Sequence, residues 1–216
     1  PRTARYYAEV LGAVLKQAVD GKMLSEHPMA TVEMPVVDSP VHILTPAELN
    51  KLLLAAPHVF KKLDFMTPVI MFGAFAGLRT SEIERLTWED VRLDLGQLYV
   101  QKGKNKNSER WVVLTPPLLE WCEKMLGGGA TGLVLHGISP SDRSRVKKRL
   151  CRTAGVTIPR NALRHSYGSH HLVHYDNAGN TATEMGHHSA QMTFAAYRRA
   201  VNKAQAAAYW DIRVEM

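Results

Sequence analysis

The chain has 216 residues, of which 45% are hydrophobic and 22% charged, proportions that exclude a disordered protein and allow one sizeable domain. Its formal net charge of +7 and pI of about 9.5 favour an anionic partner, with nucleic acid first and an acidic membrane second. No apolar run reaches the length of a membrane span. The two cysteines, Cys122 and Cys151, do not have the spacing of a disulfide framework or a zinc knuckle. We therefore expect a cytoplasmic protein with reduced thiols.

The N-terminal part of the chain has the pattern of one amphipathic helix followed by a linker. Apolar residues recur at helical spacing over residues 3–20, and prolines interrupt residues 25–40. A single helix cannot bury its apolar face alone. We therefore expect residues 1–24 to be the last helix of a truncated domain, 25–40 to be a linker and 41–216 to form the main domain.

The main domain begins with two predicted helices. The sequence T-P-A-E at 45–48 has a capping threonine, a proline at the first helical position and a glutamate that closes a capping box. The run V-I-M-F-G-A-F-A after Thr67-Pro68 is apolar on every side, which predicts a central buried helix that ends at Gly77. A further helix is expected to start at Ser81, with Glu84 three residues later.

Arg79 falls at the junction between the buried helix and the next one. An arginine in such a place must meet an anion or a carboxylate, since an unpaired buried charge is costly. A phosphate is one interpretation, and a salt bridge to Glu82 or Glu84 is the other.

Residues 88–114 change from a helical to a strand period and predict a three-stranded antiparallel meander. Gly96 turns the first pair of strands, and the basic stretch 102–110 turns the second. A solvated turn is the expected state for two of its three lysines, Lys102, Lys104 and Lys106. The β-rich runs are 88–93, 98–101 and 111–114.

The remainder of the chain predicts helices, so the fold class is α+β and mainly α-helical. A helix over 116–126 is followed by one that S-P-S-D at 139–142 opens, and this second helix is densely basic. Such clustering predicts contact with a phosphate backbone, through Arg143, Arg145, Lys147, Lys148 and Arg149. The later helices are expected over 162–174, 181–185, 192–201 and 203–210.

Five features in one order resemble the catalytic domain of the tyrosine recombinases, the phage-integrase family, over about residues 41–210. They are A-G-L-R-T-S-E-I at 76–83, a hairpin with K-G-K, L-R-H-S-Y at 163–167, M-G-H at 185–187, and Tyr197. The resemblance implies the DNA breaking-rejoining fold with its small three-stranded sheet. It also implies that the first helix is the end of a core-binding domain that clamps DNA.

The resemblance implies a role for each matching residue. Tyr197 would attack a DNA phosphodiester and form a 3′-phosphotyrosine, leaving a free 5′-hydroxyl. Arg79 and Arg164 would stabilise the charge on the phosphate, and His187 would donate a hydrogen bond to it. Lys102, with Lys104 as the alternative, would protonate the departing 5′-oxygen, and Glu82 would support the pocket. The chemistry needs no metal and no cofactor, because the arginines stabilise the charge.

Two positions depart from the family pattern. Asn161 stands where the family usually has a histidine three residues before its second arginine, and asparagine cannot transfer a proton near pH 7. The position also suits a helix N-cap. The interval from His187 to Tyr197 is one residue longer than expected, whereas counting from His188 gives the expected interval.

The resulting hypothesis is a site-specific recombinase that integrates or excises mobile DNA. The alternatives are an enzyme similar to type IB topoisomerases and a degenerate member that binds DNA without cutting it. The implied partners are double-stranded DNA, further copies of the chain in a tetramer on DNA, and accessory DNA-bending proteins. A bacterial or phage origin, with a nucleoid-associated cytoplasmic location, is expected. The small, apolar helix over 204–210 is expected to dock on a neighbouring subunit.

Overall fold

The chain divides into two compact units, Pro1–Pro40 and Val41–Met216. The structure is a computed structural model, and the residues it describes are 2–34, 41–59, 64–103, 109–135, 139–187, 189–191, 197 and 201–214. Within these ranges, none of the helices combines the length and the apolar character needed to cross a bilayer.

The first unit contains helix α1, Arg2–Asp20, which confirms the predicted N-terminal helix. Its apolar side chains are largely exposed within this unit, among them Tyr7 and Leu11. The segment after the helix turns back, because the Nε2 atom of His27 lies 3.0 Å from the carbonyl oxygen of Gly12. Residues 35–40 of the expected linker lie outside the described residues.

The second unit consists of helices around one core and a small sheet at its side. Local caps explain where several helices begin: Thr45 and Glu48 form the predicted capping box, and Ser139 accepts a hydrogen bond from the backbone N–H of Asp142. The described helices are α2 (Pro46–Ala55), α3 (Met66–Phe75), α4 (Thr80–Ile83), α5 (Pro116–Gly127), α6 (Pro140–Ala154), α7 (Ala162–Tyr175), α8 (Ala178–Met185) and α9 (Lys203–Trp210).

Helix α3 is the centre of the core, as its uniformly apolar sequence predicted. It packs against α7 and α5 and contributes Phe72 and Phe75, which are fully buried. The ring of Phe72 meets that of Trp121 edge to face, with the centroids 5.6 Å apart. This core fixes α4 and α7 relative to each other, and these two helices carry the candidate arginines.

The sheet has the order β1-β2-β3 and is antiparallel throughout, as predicted. Its strands are β1 (Val91–Arg92), β2 (Gln97–Val100) and β3 (Arg110–Val113). The prediction of a strand from Trp88 was wrong, because Trp88–Asp90 form a 3₁₀ helix. The Asp90 carboxylate accepts hydrogen bonds from the Thr87 backbone N–H and hydroxyl, both at 2.9 Å, and this turn prevents strand pairing.

Two helix starts differ from the predicted ones. Helix α4 begins at Thr80, not Ser81, because the Glu82 carboxylate rather than Glu84 accepts the Arg79 backbone N–H, at 2.8 Å. Helix α8 begins at Ala178, where Asn177 accepts the backbone N–H of Asn180 at 2.9 Å. In both places a competing cap lay within a few residues of the predicted one.

Helix α9 packs on α7 and α2 of its own chain, and its expected docking on a neighbouring subunit stays a prediction. Tyr209 is fully buried, and its hydroxyl donates a hydrogen bond to the Ala74 carbonyl at 2.6 Å. Its ring stacks on His170 at a centroid distance of 3.9 Å. Burial of Tyr209 therefore holds the helix on its own chain.

Gly77 separates α3 from α4, and we expect Gly77→Ala to destabilise the second unit by about 3 kcal/mol or more. The backbone has φ +64°, which costs a non-glycine residue about 1–2 kcal/mol, and a Cβ would overlap the Cδ1 of Tyr167, adding overpacking of about 1–3 kcal/mol. Gly96→Ala is the matched control, since Gly96 has φ +61° and nothing lies within 4 Å of the place that its methyl group would take. Urea unfolding of both variants measures the difference, and equal losses would show that the contact with Tyr167 carries no cost.

Candidate active site

Arg79 lies at the N-terminus of α4 with its guanidinium partly exposed. Its Nη1 is 2.7 Å from the Glu82 Oε1, and its Nη2 donates to the Gly186 carbonyl at 3.2 Å. Of the two predicted salt bridges, the structure therefore forms the one to Glu82, whereas Glu84 pairs with Arg143. The side chain is 40% exposed, so the guanidinium can also meet an anion from solvent.

Arg164 projects from α7 and is held by two backbone carbonyls. Its Nη1 donates to the Gly77 oxygen and its Nη2 to the Met185 oxygen, so the guanidinium joins the end of α3 to the end of α8. Burial, together with the positive charge of Arg79, lowers the pKa of Arg164 to about 10. The side chain therefore stays charged at neutral pH in a fixed orientation.

Glu82 pairs with Arg110 as well as with Arg79, although the sequence pattern predicted Arg110 in the hairpin turn. Arg110 Nη1 and Nη2 lie 3.1 Å and 3.0 Å from the two carboxylate oxygens, and its side chain is 5% exposed. Burial alone would raise the pKa of Glu82, but the hydrogen bonds and charge of Arg110 and the contacts of Arg79 lower it to about 2. Glu82 is thus a buried carboxylate that orients two cations.

The structure corrects the predicted place of Arg110, which was expected in the hairpin turn but begins β3. Arg110 shares the buried face of β3 with Val112. Its Nε also donates to the Glu184 carbonyl at 2.5 Å. The sequence does contain an indication that residue 110 faces the core. Every second residue of a strand points to the same face, and Leu114, Val112 and residue 110 are two apart.

Tyr197 lies in helical backbone, and its ring is buried against α7. It is 3% exposed, and a Cβ at Gly168 would lie 2.7 Å from its Cε2, so this approach requires glycine on α7. Burial raises the pKa of Tyr197, although the positive charges of Arg164 and Arg79 act in the opposite direction. The phenol is consequently protonated at neutral pH.

His165 is a residue of the site that the sequence reasoning missed. Its Nδ1 lies 3.0 Å from the Tyr197 Oη. Burial, and then the charges of Arg164 and His42, lower the pKa of His165. The available signal was its place directly after Arg164 in L-R-H-S, but nothing within the motif indicates that it faces Tyr197.

His187 follows Gly186, whose φ of 62° ends α8, and its backbone N–H donates to the Ala182 carbonyl at 2.8 Å. Its ring lies over that of Tyr197, with the centroids 6.3 Å apart and the planes 20° from parallel. Burial and the nearby arginines, with Arg164 first, lower the pKa of His187 to about 4. His187 is therefore a neutral hydrogen-bond donor at neutral pH. The alternative, His188, lies outside the described residues.

Asn161 stands before α7 in the left-handed conformation, with φ 61°, and its side chain is exposed. The N-cap position was predicted correctly, but the side chain forms no capping hydrogen bond. A capping side chain needs an extended backbone to reach the first turn. Asn161 instead lines a cavity of about 300 Å³ together with Arg79 and Arg164.

Lys102 is exposed and follows β2 closely. Its strand pairs Val100 with Arg110, so Lys102 lies at the end of the sheet where Arg110 meets Glu82. Lys104 and Lys106 lie outside the described residues.

The basic helix α6 has two kinds of cation. Arg143 and Lys147 line the cavity that Arg79 and Arg164 also line, and Arg143 is additionally paired with Glu84. The other basic residues point to solvent: Arg145 is 80% exposed, although it lies 3.4 Å from Asp142, and Lys148 and Arg149 are exposed.

A buried cluster of polar side chains between α7 and α8 supports the site, and the sequence pattern did not predict it. The Tyr167 hydroxyl donates to the Glu184 carboxylate, and the His171 Nε2 lies 3.4 Å from the same carboxylate oxygen. His171 Nδ1 is also 2.8 Å from the Thr181 hydroxyl. These contacts fasten α8 to α7 and so fix the carbonyls that hold Arg79, Arg110 and Arg164.

Comparison with known proteins identifies a family and a fold. The model of the phage integrase family matches residues 42–204. The chain is 29% identical over 189 residues to tyrosine recombinase XerD of Pseudomonas aeruginosa, covering 80% of this chain and 62% of that protein. It is 30% identical over 139 residues to tyrosine recombinase XerA of Pyrococcus furiosus, covering 60% of this chain and 47% of that protein. The chain therefore spans less than two thirds of the length of these relatives.

Solved structures with the same fold have low sequence identity to this chain. The Tn1549 transposon integrase in complex with a circular intermediate DNA has a TM-score of 0.67 at 19% identity, covering 91% of this chain and 75% of that one. XerA recombinase has a TM-score of 0.59 at 20% identity, covering 91% and 72%. A lambda integrase dimer bound to a core site has a TM-score of 0.65 at 16% identity, covering 89% and 72%. The likeness confirms the predicted fold class.

Proposed function

The chain belongs to the phage integrase family, as its motifs predicted, and on that premise we propose that it is a site-specific DNA recombinase. It would cleave and rejoin double-stranded DNA through a 3′-phosphotyrosine and so integrate or excise mobile DNA. The observation that carries the proposal is the convergence of four side chains from separate elements at one site. The ring of His187 lies over that of Tyr197, and Arg79 and Arg164 donate to the two backbone carbonyls just before His187.

The arginines supply the charge that the reaction needs. The transition state of phosphoryl transfer concentrates negative charge on the non-bridging oxygens, and fixed donors stabilise it without reorganisation. Arg164 is oriented by the Gly77 and Met185 carbonyls, and Arg79 by Glu82 and the Gly186 carbonyl. Guanidinium groups suit this task because they remain charged and donate in a fork.

The remaining roles follow from position and protonation. Tyr197 is the nucleophile, and His187 donates a hydrogen bond to the phosphate in its neutral form. Lys102 is the general acid for the departing 5′-oxygen, with Lys104 as the alternative, and Asn161 contacts the phosphate through its amide.

Affinity for DNA comes from the basic hairpin and helix α6. Cations that bind backbone phosphates release counterions, so binding weakens as salt increases. Support comes from the exposure of the solvent-facing cations of α6 and from the place of Arg143 and Lys147 beside the candidate arginines. The proposed DNA-binding residues are Lys104, Lys106, Arg143, Arg145, Lys147, Lys148 and Arg149.

The proposal extends to organisation and partners. Residues 1–24 would be the last helix of a core-binding domain, 25–40 a linker, and 41–216 the catalytic domain. The protein would act as a tetramer on DNA, with accessory DNA-bending proteins. It would be cytoplasmic and nucleoid-associated, and of bacterial or phage origin. Exposed apolar side chains on α1 support the first of these statements.

The test of the proposal is covalent capture of DNA by the full chain. Binding sites are first selected from a randomised duplex library, and nicked duplexes of the selected sequence then trap the cleaved state. A denaturing gel should show a protein–DNA adduct with a free 5′-hydroxyl, and peptide mapping should locate the 3′-phosphate on residue 197. Tight binding without an adduct would favour a non-cleaving member of the family. Relaxation of plasmids without site preference would favour the topoisomerase-like alternative.

Lys102→Ala should slow cleavage of such a nicked duplex by about 10²–10³-fold, because the 5′-alkoxide would leave without a proton. A duplex with a 5′-bridging phosphorothiolate should restore the rate, since a thiolate needs no proton to leave. Lys51→Ala, an exposed lysine on α2, is the matched control and should cleave both substrates normally. A defect that the phosphorothiolate does not relieve would transfer the acid role to another group, with Lys104→Ala tested next.

A further inference from the structure

The phenol of Tyr197 already has a neighbour that can take its proton. The Nδ1 atom of His165 lies 3.0 Å from the Tyr197 Oη, and the ring centroids are 5.8 Å apart with a tilt of 50°. A proton acceptor must lie within about 2.6–3.2 Å of the atom that it deprotonates. His165 therefore meets the geometric requirement for a base.

His165 lies on α7, about one turn after the first residue of that helix. Asn161 stands before the helix and has no titratable group, and the His165 backbone N–H donates to the Asn161 carbonyl at 2.8 Å. The side chain four residues after Asn161 is thus the first imidazole on the helix, and it points to the phenol.

The charged and titratable groups around His165 keep it neutral. Burial lowers its pKa most, and then Arg164 on the same helix and His42 from the segment before α2 act in the same direction. His187, after α8, contacts the same Tyr197 ring that His165 contacts. Because cations disfavour the imidazolium, the ring remains unprotonated around pH 7 and its Nδ1 can accept a proton.

Proton transfer must nevertheless accompany attack rather than precede it. Burial raises the pKa of Tyr197 whereas that of His165 is lowered, so transfer in the resting site is uphill. The phenol becomes acidic as its oxygen bonds to phosphorus. The negative charge of the bound phosphate stabilises the imidazolium at the same moment.

Resting on the proposed recombinase function, we propose that His165 is a catalytic residue that accepts the Tyr197 proton during strand cleavage. The Tyr197 Oη bonds to phosphorus and its proton passes to the His165 Nδ1, while the bond from phosphorus to the 5′-oxygen breaks and that oxygen takes a proton from Lys102. In religation the 5′-hydroxyl attacks phosphorus and returns its proton to Lys102. His165 then protonates the departing Tyr197 oxygen, so both residues regain their initial state.

His187 is less suited to this role. Its ring faces that of Tyr197 in a nearly parallel stack at 6.3 Å, which aligns ring faces rather than a nitrogen with the phenol oxygen. Burial, as the largest cause, and three arginines lower its pKa to about 4, so it is the weaker base. Its neutral N–H suits the phosphate instead.

The first test is the pH dependence of adduct formation by the full chain on the selected nicked duplex. His165→Gln should lower the cleavage rate at pH 7 by about 10²-fold. Its rate should then rise with pH up to alkaline values, because hydroxide replaces the missing acceptor, whereas the parent protein reaches a plateau near neutrality. His174→Gln is the matched control, an exposed histidine on the same helix whose ring contacts those of Tyr175 and Trp210, and it should keep the parent profile.

The second test separates proton transfer from a structural role. Replacing Tyr197 by 3,5-difluorotyrosine lowers the phenol pKa, so the nucleophile ionises without help. This replacement should restore most of the cleavage that His165→Gln loses, while DNA binding and unfolding temperature remain near those of the parent.

Each outcome decides the proposal. If His165→Gln cleaves with the parental rate and pH profile, the proposal is wrong. It is also wrong if His165→Gln loses cleavage rate but keeps the parental pH profile, and difluorotyrosine at residue 197 does not restore that rate. If the parent protein itself forms no adduct, the recombinase function fails and this role fails with it. An adduct from the parent with unimpaired His165→Gln refutes this role alone.

Discussion

Tyr197→Phe should form no covalent adduct with the selected nicked duplex, a loss of at least about 10⁴-fold in cleavage. The phenol oxygen is the atom that bonds to phosphorus, and phenylalanine keeps the ring but lacks that oxygen. Other tyrosines of the core cannot take its place, since Tyr167 is bound to Glu184 and Tyr209 to the Ala74 carbonyl, both fully buried. Quantitation of the adduct on a denaturing gel measures the effect.

The fold and DNA binding of Tyr197→Phe should remain nearly unchanged. The substitution removes one hydrogen bond, to the His165 Nδ1, which contributes about 1 kcal/mol. Tyr175→Phe is the control, an exposed tyrosine on α7 whose loss of a hydroxyl should leave cleavage intact. An adduct that persists with phenylalanine at residue 197 would assign the nucleophile to another residue, which peptide mapping would identify.

Glu82→Gln should lower the free energy of unfolding of the second unit by about 3–5 kcal/mol. The carboxylate is 3% exposed and pairs with both Arg79 and Arg110, so its loss leaves the buried Arg110 cation without its counter-charge. Urea unfolding gives the value. Glu84→Gln, which removes the more exposed pair with Arg143, is the matched control and should cost no more than about 1 kcal/mol.

The pH dependence of the free energy of unfolding is a second way to measure the contribution of Glu82. The pKa of Glu82 falls from 4.5 to about 2 on folding, so the carboxylate contributes about 3 kcal/mol above its unfolded pKa. That contribution is lost as the pH falls from about 4.5 through 2, because protonation then removes the charge that Arg110 needs. Glu82→Gln should flatten this acid limb of the stability curve. An unchanged limb would mean that other carboxylates produce it.

The largest differences between prediction and structure concern residues that act across long intervals. Arg110 was assigned to a turn, yet it meets Glu82 across 28 residues. His165 meets Tyr197 across 32 residues, and no feature of the motif indicated that contact. Tyr209 of α9 meets the Ala74 carbonyl on α3 and the His170 ring on α7, contacts that the local sequence also did not indicate. Each of these depends on how helices pack and not on the local sequence.

The sequence by itself determined the features that short intervals encode. The caps at Thr45 and Ser139 join atoms three residues apart, and the uniformly apolar α3 could only be a buried core helix. The order of its motifs determined the family. The tertiary structure alone decided that Arg110 and His165 join the predicted site, because they meet Glu82 and Tyr197 only after the elements that carry them have packed together. Hydrogen bonds over three residues form whenever a helix forms, whereas contacts across the fold exist only where burial of the apolar faces brings the elements together.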